Sequence, residues 1–553
     1  MLRAVVSVVL CLGLCSWSPA LATCHDWYKN SLIYQIYPRS FMDSDGDGIG
    51  DLNGITSKME HIANIGADAL WLSPIYTSPQ ADFGYDIANF TDINPEYGTL
   101  ADFDRLVAKA KSLGLKVLLD FVPNHSSHEH EWFKKSIKRI KPYDDYYVWR
   151  DAKIVSGKRH PPNNWLSVFG GSAWEWNAER GQYYLHQFVA GQPDLNYRNR
   201  DLDREMKDVL SFWMNRGVEG FRIDAINHMF EDPRFLNEPS TNRSDLPSDD
   251  YDTLDHIYTK NLDETYDVLR SWRNLLDQHS ATTNTDYKII LTEAYVDVDL
   301  TMKYYKFGST APFNFMFIGE LNNKSSAMDF KRTIDRWFNH MPSENEVANW
   351  VVGNHDNHRA ASRYGPQRAD QLNMLVTLLP GISVIYNGDE IGMEDREFTY
   401  AETVDPAGCQ AGPDRYRIKS RDPERTPFQW DDTKNAGFSK SNKTWLPVNN
   451  NYKTLNLLAQ KLADPSHYKI FKALTTLKRK PVVKNGSLEV ILVTEQVLGV
   501  VDARTWLNIP EQLAVYVASI GSNIKFGTTV NTTAYTLPGA ASVVLVSPNV
   551  LNY

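Results

Sequence analysis

Short apolar runs recur along the chain up to residue 386. They are SLIYQIYP at 31–38, ADALWLSP at 67–74, LKVLLDFVPNH at 115–125, GVEGFRID at 217–224, KIILT at 288–292, WVV at 350–352 and ISVIY at 382–386, with a weaker FNFMF at 313–317. Between them lie stretches of helical period: Ile55, Met59 and Ile62 within 53–65, a segment at 106–113, and Met206, Val209, Leu210 and Trp213. Continuous apolar strands alternating with amphipathic helices predict an α/β fold whose parallel sheet is covered on its outer face. Eight candidate strands suit a closed (β/α)8 TIM barrel. An open doubly wound sheet would want a glycine-rich phosphate turn after its first strand, and none is there.

The barrel pattern occupies residues 23–125 and 194–468. In between, 126–193 is rich in Trp, Tyr, Pro and Gly and lacks a long apolar helix. So long an excursion after the third strand reads as an inserted subdomain. From 469 to 553 the texture changes to short β-prone runs, LEVILV at 488–493, VLGVV at 497–501, LAVYVA at 513–518 and ASVVLV at 541–546, which predict a C-terminal antiparallel β domain.

The first 22 residues combine a basic start, an apolar run and the small residues Ala20 and Ala22, so 1–22 reads as a signal peptide and the protein as secreted and extracellular. That run is short for a membrane span, and no other stretch is long enough, so the mature chain is expected to have none. A net charge of −10 argues against nucleic-acid partners. Of four cysteines, Cys11 and Cys15 leave with the leader, and Cys24 and Cys409 remain; whether they pair is open. Asn-X-Ser/Thr acceptors stand at Asn89, Asn242, Asn323, Asn442, Asn485 and Asn531, as a secreted glycoprotein would carry; Asn124 also matches, within a site motif, and is expected to be unmodified.

The chemistry sits at strand ends, where barrel enzymes place it. Arg222 and Asp224 share one face of an extended strand, and a neighbouring arginine favours an ionised carboxylate. A lone pair of this kind is usually structural. Here two further strands end in acids, Glu293 and Asp356. The combination resembles the active site of glycoside hydrolase family 13, the α-amylase family, over residues 34–430. The resemblance implies Asp224 as nucleophile, Glu293 as general acid/base and Asp356 as transition-state stabiliser. It makes His125, in VPNH, and His355, in GNHD, ligands of sugar hydroxyls. Asp120 is expected to orient Arg222 or the barrel mouth.

Asp82 and Tyr85 in DFGYD resemble the residues that cap the non-reducing sugar, and SRDPERTPFQW at 420–430 resembles the segment whose arginine clamps it; Arg421 and Arg425 both fit. Such a cap implies release of single glucose units. QPDLN at 192–196 is similar to the oligo-1,6-glucosidase and α-glucosidase branch, and the motifs together to secreted insect maltases. Ala225, after the nucleophile, resembles members that accept maltose and sucrose. The expected activity is therefore a retaining α-glucosidase acting on small oligosaccharides. Transfer or isomerisation on the same site is the nearer alternative; a catalytically silent binding relative, which would lack the acids, is the more distant one.

Asp43, Asp45, Asp47 and Asp51, with a carbonyl near Ile49, offer oxygen ligands for a hard cation, like the first half of an EF-hand loop without its bidentate Glu, since residue 54 is Gly54. Related enzymes carry a calcium loop in this place, so a structural Ca²⁺ is expected.

Overall fold

The computed structural model describes residues 6–11, 26–484, 486, 488–502, 511–532, 535–537, 539, 541–548 and 551. Its centre is a ring of eight parallel strands: β1 (Leu32–Ile36), β2 (Ala69–Leu72), β3 (Lys116–Phe121), β4 (Gly220–Ile223), β5 (Ile289–Thr292), β6 (Ala311–Pro312), β7 (Asn349–Val351) and β8 (Ile382–Tyr386). Hydrogen bonding runs β6-β5-β4-β3-β2-β1-β8-β7. The period of two along each strand divides its side chains between two apolar layers. Ile33, Trp71, Leu118, Leu291, Val351 and Val384 fill the barrel, while Tyr34, Leu70, Leu119 and Trp350 meet the surrounding helices. Burial on both faces is why the strands read as unbroken apolar runs. Gly220 is required by that packing: a Cβ there would lie 2.6 Å from the Ile289 carbonyl oxygen.

The seam between β6 and β7 has no strand ladder and is closed by one side chain. Asn349 Nδ2 donates to the Pro312 carbonyl at 2.6 Å, and its Oδ1 accepts from the Asn314 amide at 2.8 Å. Pro312 has no N–H to offer a neighbour, so side-chain bonding substitutes for backbone pairing here.

Three local expectations are corrected. The strand expected at 313–317 lies two residues earlier, and Met316–Gly319 is a helical turn, started where the Asn314 side chain accepts the Met316 amide at 3.2 Å. The helix expected over 53–65 is two helices, Leu52–Ser57 and Met59–Asn64, broken at Lys58 (φ −105, ψ 6). The segment expected at 106–113 belongs to the longer Leu100–Ser112, begun by a Thr99/Asp102 capping box.

The 126–193 excursion carries a three-stranded antiparallel sheet (Trp174–Asn177, Gln182–Leu185, Trp149–Arg150) over its own small core of Trp165, Trp174 and Leu185. It leaves and rejoins the barrel at one place, since His125 bridges Asp194 and Tyr147 bridges Leu195. Its lining residues are thereby held over the strand ends. The C-terminal strands pair antiparallel, Leu488–Thr494 with Val497–Asp502 and Gln512–Ala518 with both Thr529–Asn531 and Val543–Val546. Val6–Cys11, within the expected leader, runs parallel between Val497–Asp502 and Val543–Val546. Ala22, Cys24 and Asn485 lie outside the described residues, and Cys409 is exposed with a free thiol. Among the described residues no helix is long and apolar enough to cross a membrane.

Candidate active site

The period that fills the barrel also aims its chemistry. Continuing the inward positions of β1, β3, β4, β5 and β7 toward their carboxyl ends gives Gln35, Asp120, Arg222 with Asp224, Glu293 and His355. Arg222 is the hub. Its Nη1 bonds Asp120 Oδ1 at 2.8 Å and the Asp224 carboxylate, and its Nη2 lies 3.5 Å from Glu293 Oε2. The backbone turns sharply after Asp224, with Ala225 in the left-handed region (φ 44), and the Ala225 amide donates to Glu293 Oε2 at 2.6 Å. A non-glycine residue in that conformation is unusual and marks a constrained turn. It locks the two acids together.

Asp356 approaches from the β7 side. His355, before it, is sandwiched between the rings of Tyr85 (centroids 5.3 Å apart) and Tyr37 (5.5 Å). The His355 ring nitrogens pair with Gln35 at 2.7 Å and with the Tyr85 hydroxyl at 2.5 Å, and that hydroxyl also donates to Asp120 at 3.1 Å. The two candidate arginines divide the work. Arg425 is fully buried behind the site, donating to the His355 carbonyl at 2.7 Å and to Asp356 Oδ1 at 2.9 Å. Arg421 faces the cavity, bonding Asp82 at 2.6 Å, Asp356 at 3.3 Å and Asp405. His125 is buried against the Tyr85 carbonyl and the Gln192 amide nitrogen, both at 3.1 Å, and Gln192 reaches on to Asp82 at 3.3 Å.

Asp224, Glu293 and Asp356 all line one cavity of about 330 Å³, with Asp82, Tyr85, His125 and Arg421. The remaining walls include Phe169, Phe188 and Gln192 from the inserted segment, and His228, Lys260 and Tyr295 from later loops. Sequence reasoning did not single these out, nor Asp405. The QPDLN motif flagged the neighbourhood of Gln192; the others come from loops without a local signature.

Burial pushes Glu293 from 4.5 up to about 7, with Arg222 opposing and Asp224 reinforcing the rise. Burial likewise pushes Asp224 to about 7, against the pull of Arg222. The two are neighbours and titrate as a pair that holds one proton near neutrality. Direct contact with Arg222 Nη1 puts the negative charge on Asp224 and the proton on Glu293. Asp356 is held well below its usual range: burial acts to raise it, but His355, Arg425 and Arg421 outweigh that. Burial raises Asp82 to about 6 and lowers His125 to about 3, so His125 is neutral.

At the 43–51 loop, carboxylate oxygens of Asp43, Asp45 and Asp51 lie within 4.8 Å of one another. Asp47 stands outside that group; its carboxylate accepts the Ile49 amide at 2.7 Å. Three converging carboxylates fit the oxygen chemistry of a hard cation. The described acceptors Asn89, Asn242, Asn323, Asn442 and Asn531 are all exposed, whereas Asn124 is buried.

The sequence pattern of the α-amylase catalytic domain matches residues 35–486. Maltase 1 of Drosophila virilis is 54% identical over 470 residues, covering 84% of this chain and 74% of its own. The α-glucosidase of Apis mellifera is 47% identical over 90% of both chains. Among solved structures, the α-glucosyl transfer enzyme XgtA superposes with a TM-score of 0.77 at 36% identity, over 85% of this chain and 87% of that one.

Proposed function

The chain belongs to glycoside hydrolase family 13, the α-amylase family, and is an α-glucosidase; from that premise we propose a secreted, exo-acting, retaining maltase that releases α-glucose from the non-reducing ends of maltose, sucrose and short malto-oligosaccharides. The observation that carries this reading is one cavity lined by Asp224, Glu293 and Asp356 together with the Asp82–Arg421 pair.

In the first step Asp224 attacks the anomeric carbon while Glu293 gives its proton to the departing oxygen, forming a glycosyl-enzyme ester. In the second, Glu293 takes a proton from water, and the resulting hydroxide displaces Asp224. Two acids reached by one guanidinium suit the short separation of about 5–5.5 Å that a retaining site needs. Asp356, ionised throughout, stabilises the positive charge that develops on the sugar ring. Neutral His125 holds a ring hydroxyl, Tyr85 stacks on the sugar, and Asp82 with Arg421 binds the hydroxyls farthest from the bond cut; His355, its two ring nitrogens engaged by Gln35 and Tyr85, positions Tyr85 and Asp356 from behind. Proton NMR of early maltose hydrolysis should show α-glucose appearing first from the non-reducing unit; β-glucose there would end the covalent mechanism.

The similarity to a glucosyl transfer enzyme supports a second activity on the same intermediate, in which a sugar hydroxyl replaces water. Product analysis after incubation with concentrated sucrose separates the two, because transfer yields new disaccharides and hydrolysis only monosaccharides. Secretion is supported by the N-terminal apolar run and the exposed glycan acceptors. A structural Ca²⁺ would be held by Asp43, Asp45 and Asp51, lending charge to a loop otherwise crowded with acids.

A further inference from the structure

Outside the lining of the sugar cavity, three loops bring together His358, Asp395 and Glu424. His358 follows Asp356 by two residues, Asp395 lies beyond β8, and Glu424 adjoins Arg425. His358 Nδ1 is 2.9 Å from Asp395 Oδ2 and 3.6 Å from Glu424 Oε2, and the three atoms lie within 4.8 Å of one another. We propose that these atoms form a binding site for a first-row divalent transition metal, Zn²⁺ foremost, distinct from the 43–51 loop.

The donors are held by bonds that leave the named atoms available. Asp395 spends Oδ1 on the Arg359 amide at 2.8 Å, and its own amide donates to Ser362 Oγ at 2.8 Å. The Asn449 side chain fixes the Asp395 carbonyl at 3.0 Å, and the Tyr386 hydroxyl fixes that of Glu424 at 3.2 Å. Glu424 is 1% exposed, yet its Oε2 accepts no hydrogen bond. A buried carboxylate oxygen without a donor is costly, and a cation is what would satisfy it.

An ion pair does not account for the arrangement. One Nδ1–H can serve one acceptor, and the nearer is Asp395; Glu424 is then left beside a second carboxylate with nothing to bond. One metal ion meets all three atoms at once and neutralises both carboxylates. The donor set decides its class. One imidazole nitrogen with two carboxylates suits Zn²⁺, whereas Ca²⁺ takes six to eight oxygens. The His358 ring is 40% exposed at its outer edge, while its Nδ1 is buried together with Glu424 Oε2. Bound metal would tie the loop of Asp356 to the segment of Arg425, which bond each other directly.

The test is zinc stoichiometry on the full chain. Chelator-treated protein is dialysed against micromolar Zn²⁺ and its metal content measured for the unaltered chain, His358→Ala, Glu424→Gln, Asp395→Asn and Asp45→Asn, with circular dichroism to confirm folding. The expected result is one Zn²⁺ per chain, retained in Asp45→Asn and bound at least about tenfold more weakly in each folded variant of the three ligands. Anomalous scattering at the zinc edge from crystals of the unaltered protein, which needs no variant to fold, should place the ion between the three side chains. No binding, equal binding in the ligand variants, or an anomalous peak elsewhere would overturn the site.

Discussion

Replacing Glu293 by Gln keeps the shape of the side chain and the bond from the Ala225 amide but removes the transferable proton. The size of the effect follows from the surroundings. Burial holds this acid at about 7 instead of 4.5, a difference worth about 3 kcal/mol. At pH 6 about 90% of such a group is protonated, against about 3% at the ordinary value, so burial contributes about thirtyfold in active enzyme. The protonated form is the working one. Activity should therefore fall about tenfold per pH unit above 7, leaving about 1% of Glu293 protonated at pH 9, and fall again toward acid as Asp224, itself raised to about 7, takes up its own proton. Glu293→Gln should lower kcat/KM on maltose by about 10²–10⁴ and abolish the alkaline limb. On p-nitrophenyl α-glucoside, whose leaving group needs little protonation, the loss of the first step should be much smaller. The assay is a pair of pH profiles of kcat/KM, one per substrate. A variant that kept the same alkaline limb would refute the assignment and point to another raised acid, such as Asp82 or Asp120, both at about 6.

Arg421→Lys cannot reproduce bonds to Asp82, Asp405 and Asp356 together, and should lower kcat/KM for maltose about 10²-fold, chiefly through KM; a change under threefold in steady-state kinetics would remove Arg421 from the sugar-binding set. Asn349→Ala strips two buried bonds from the β6–β7 seam and should cost about 2–5 kcal/mol in a denaturant titration, whereas a loss below about 0.5 kcal/mol would mean the seam carries no load. Millimolar Ca²⁺ should raise the melting temperature of the unaltered chain but not of Asp45→Asn, with a gain of about 2.7 kcal/mol at a hundredfold excess over Kd; equal responses would exclude the 43–51 loop.

Strand ends were the most legible part of the site. Asp120, Arg222, Asp224 and Glu293 continue an alternation that apolar residues had already set within each strand, so residue spacing alone put them on the inner face. The eight-stranded barrel was legible for the same reason. What the sequence hid depends on chain that returns from far away. Nothing near Arg421 or Arg425 indicates which faces the cavity; the choice rests on Asp405 and Asp82, the second 339 positions distant. The walls supplied by Phe169 and Phe188 follow from how the inserted segment docks. β6 was misplaced because the alternating phenylalanines at 313, 315 and 317 imitate a strand, while the Asn314 side chain starts a helical turn among them.

Because β1 hydrogen-bonds β8, the first barrel strand waits for a neighbour about 350 residues downstream. At about 5–20 residues per second, that is some 20 to 70 seconds of synthesis during which one edge of Leu32–Ile36 stands open. The nascent chain is thus vulnerable to sticking edge-to-edge with its neighbours for most of its time on the ribosome, and its yield in a cell should depend on chaperone supply and elongation speed.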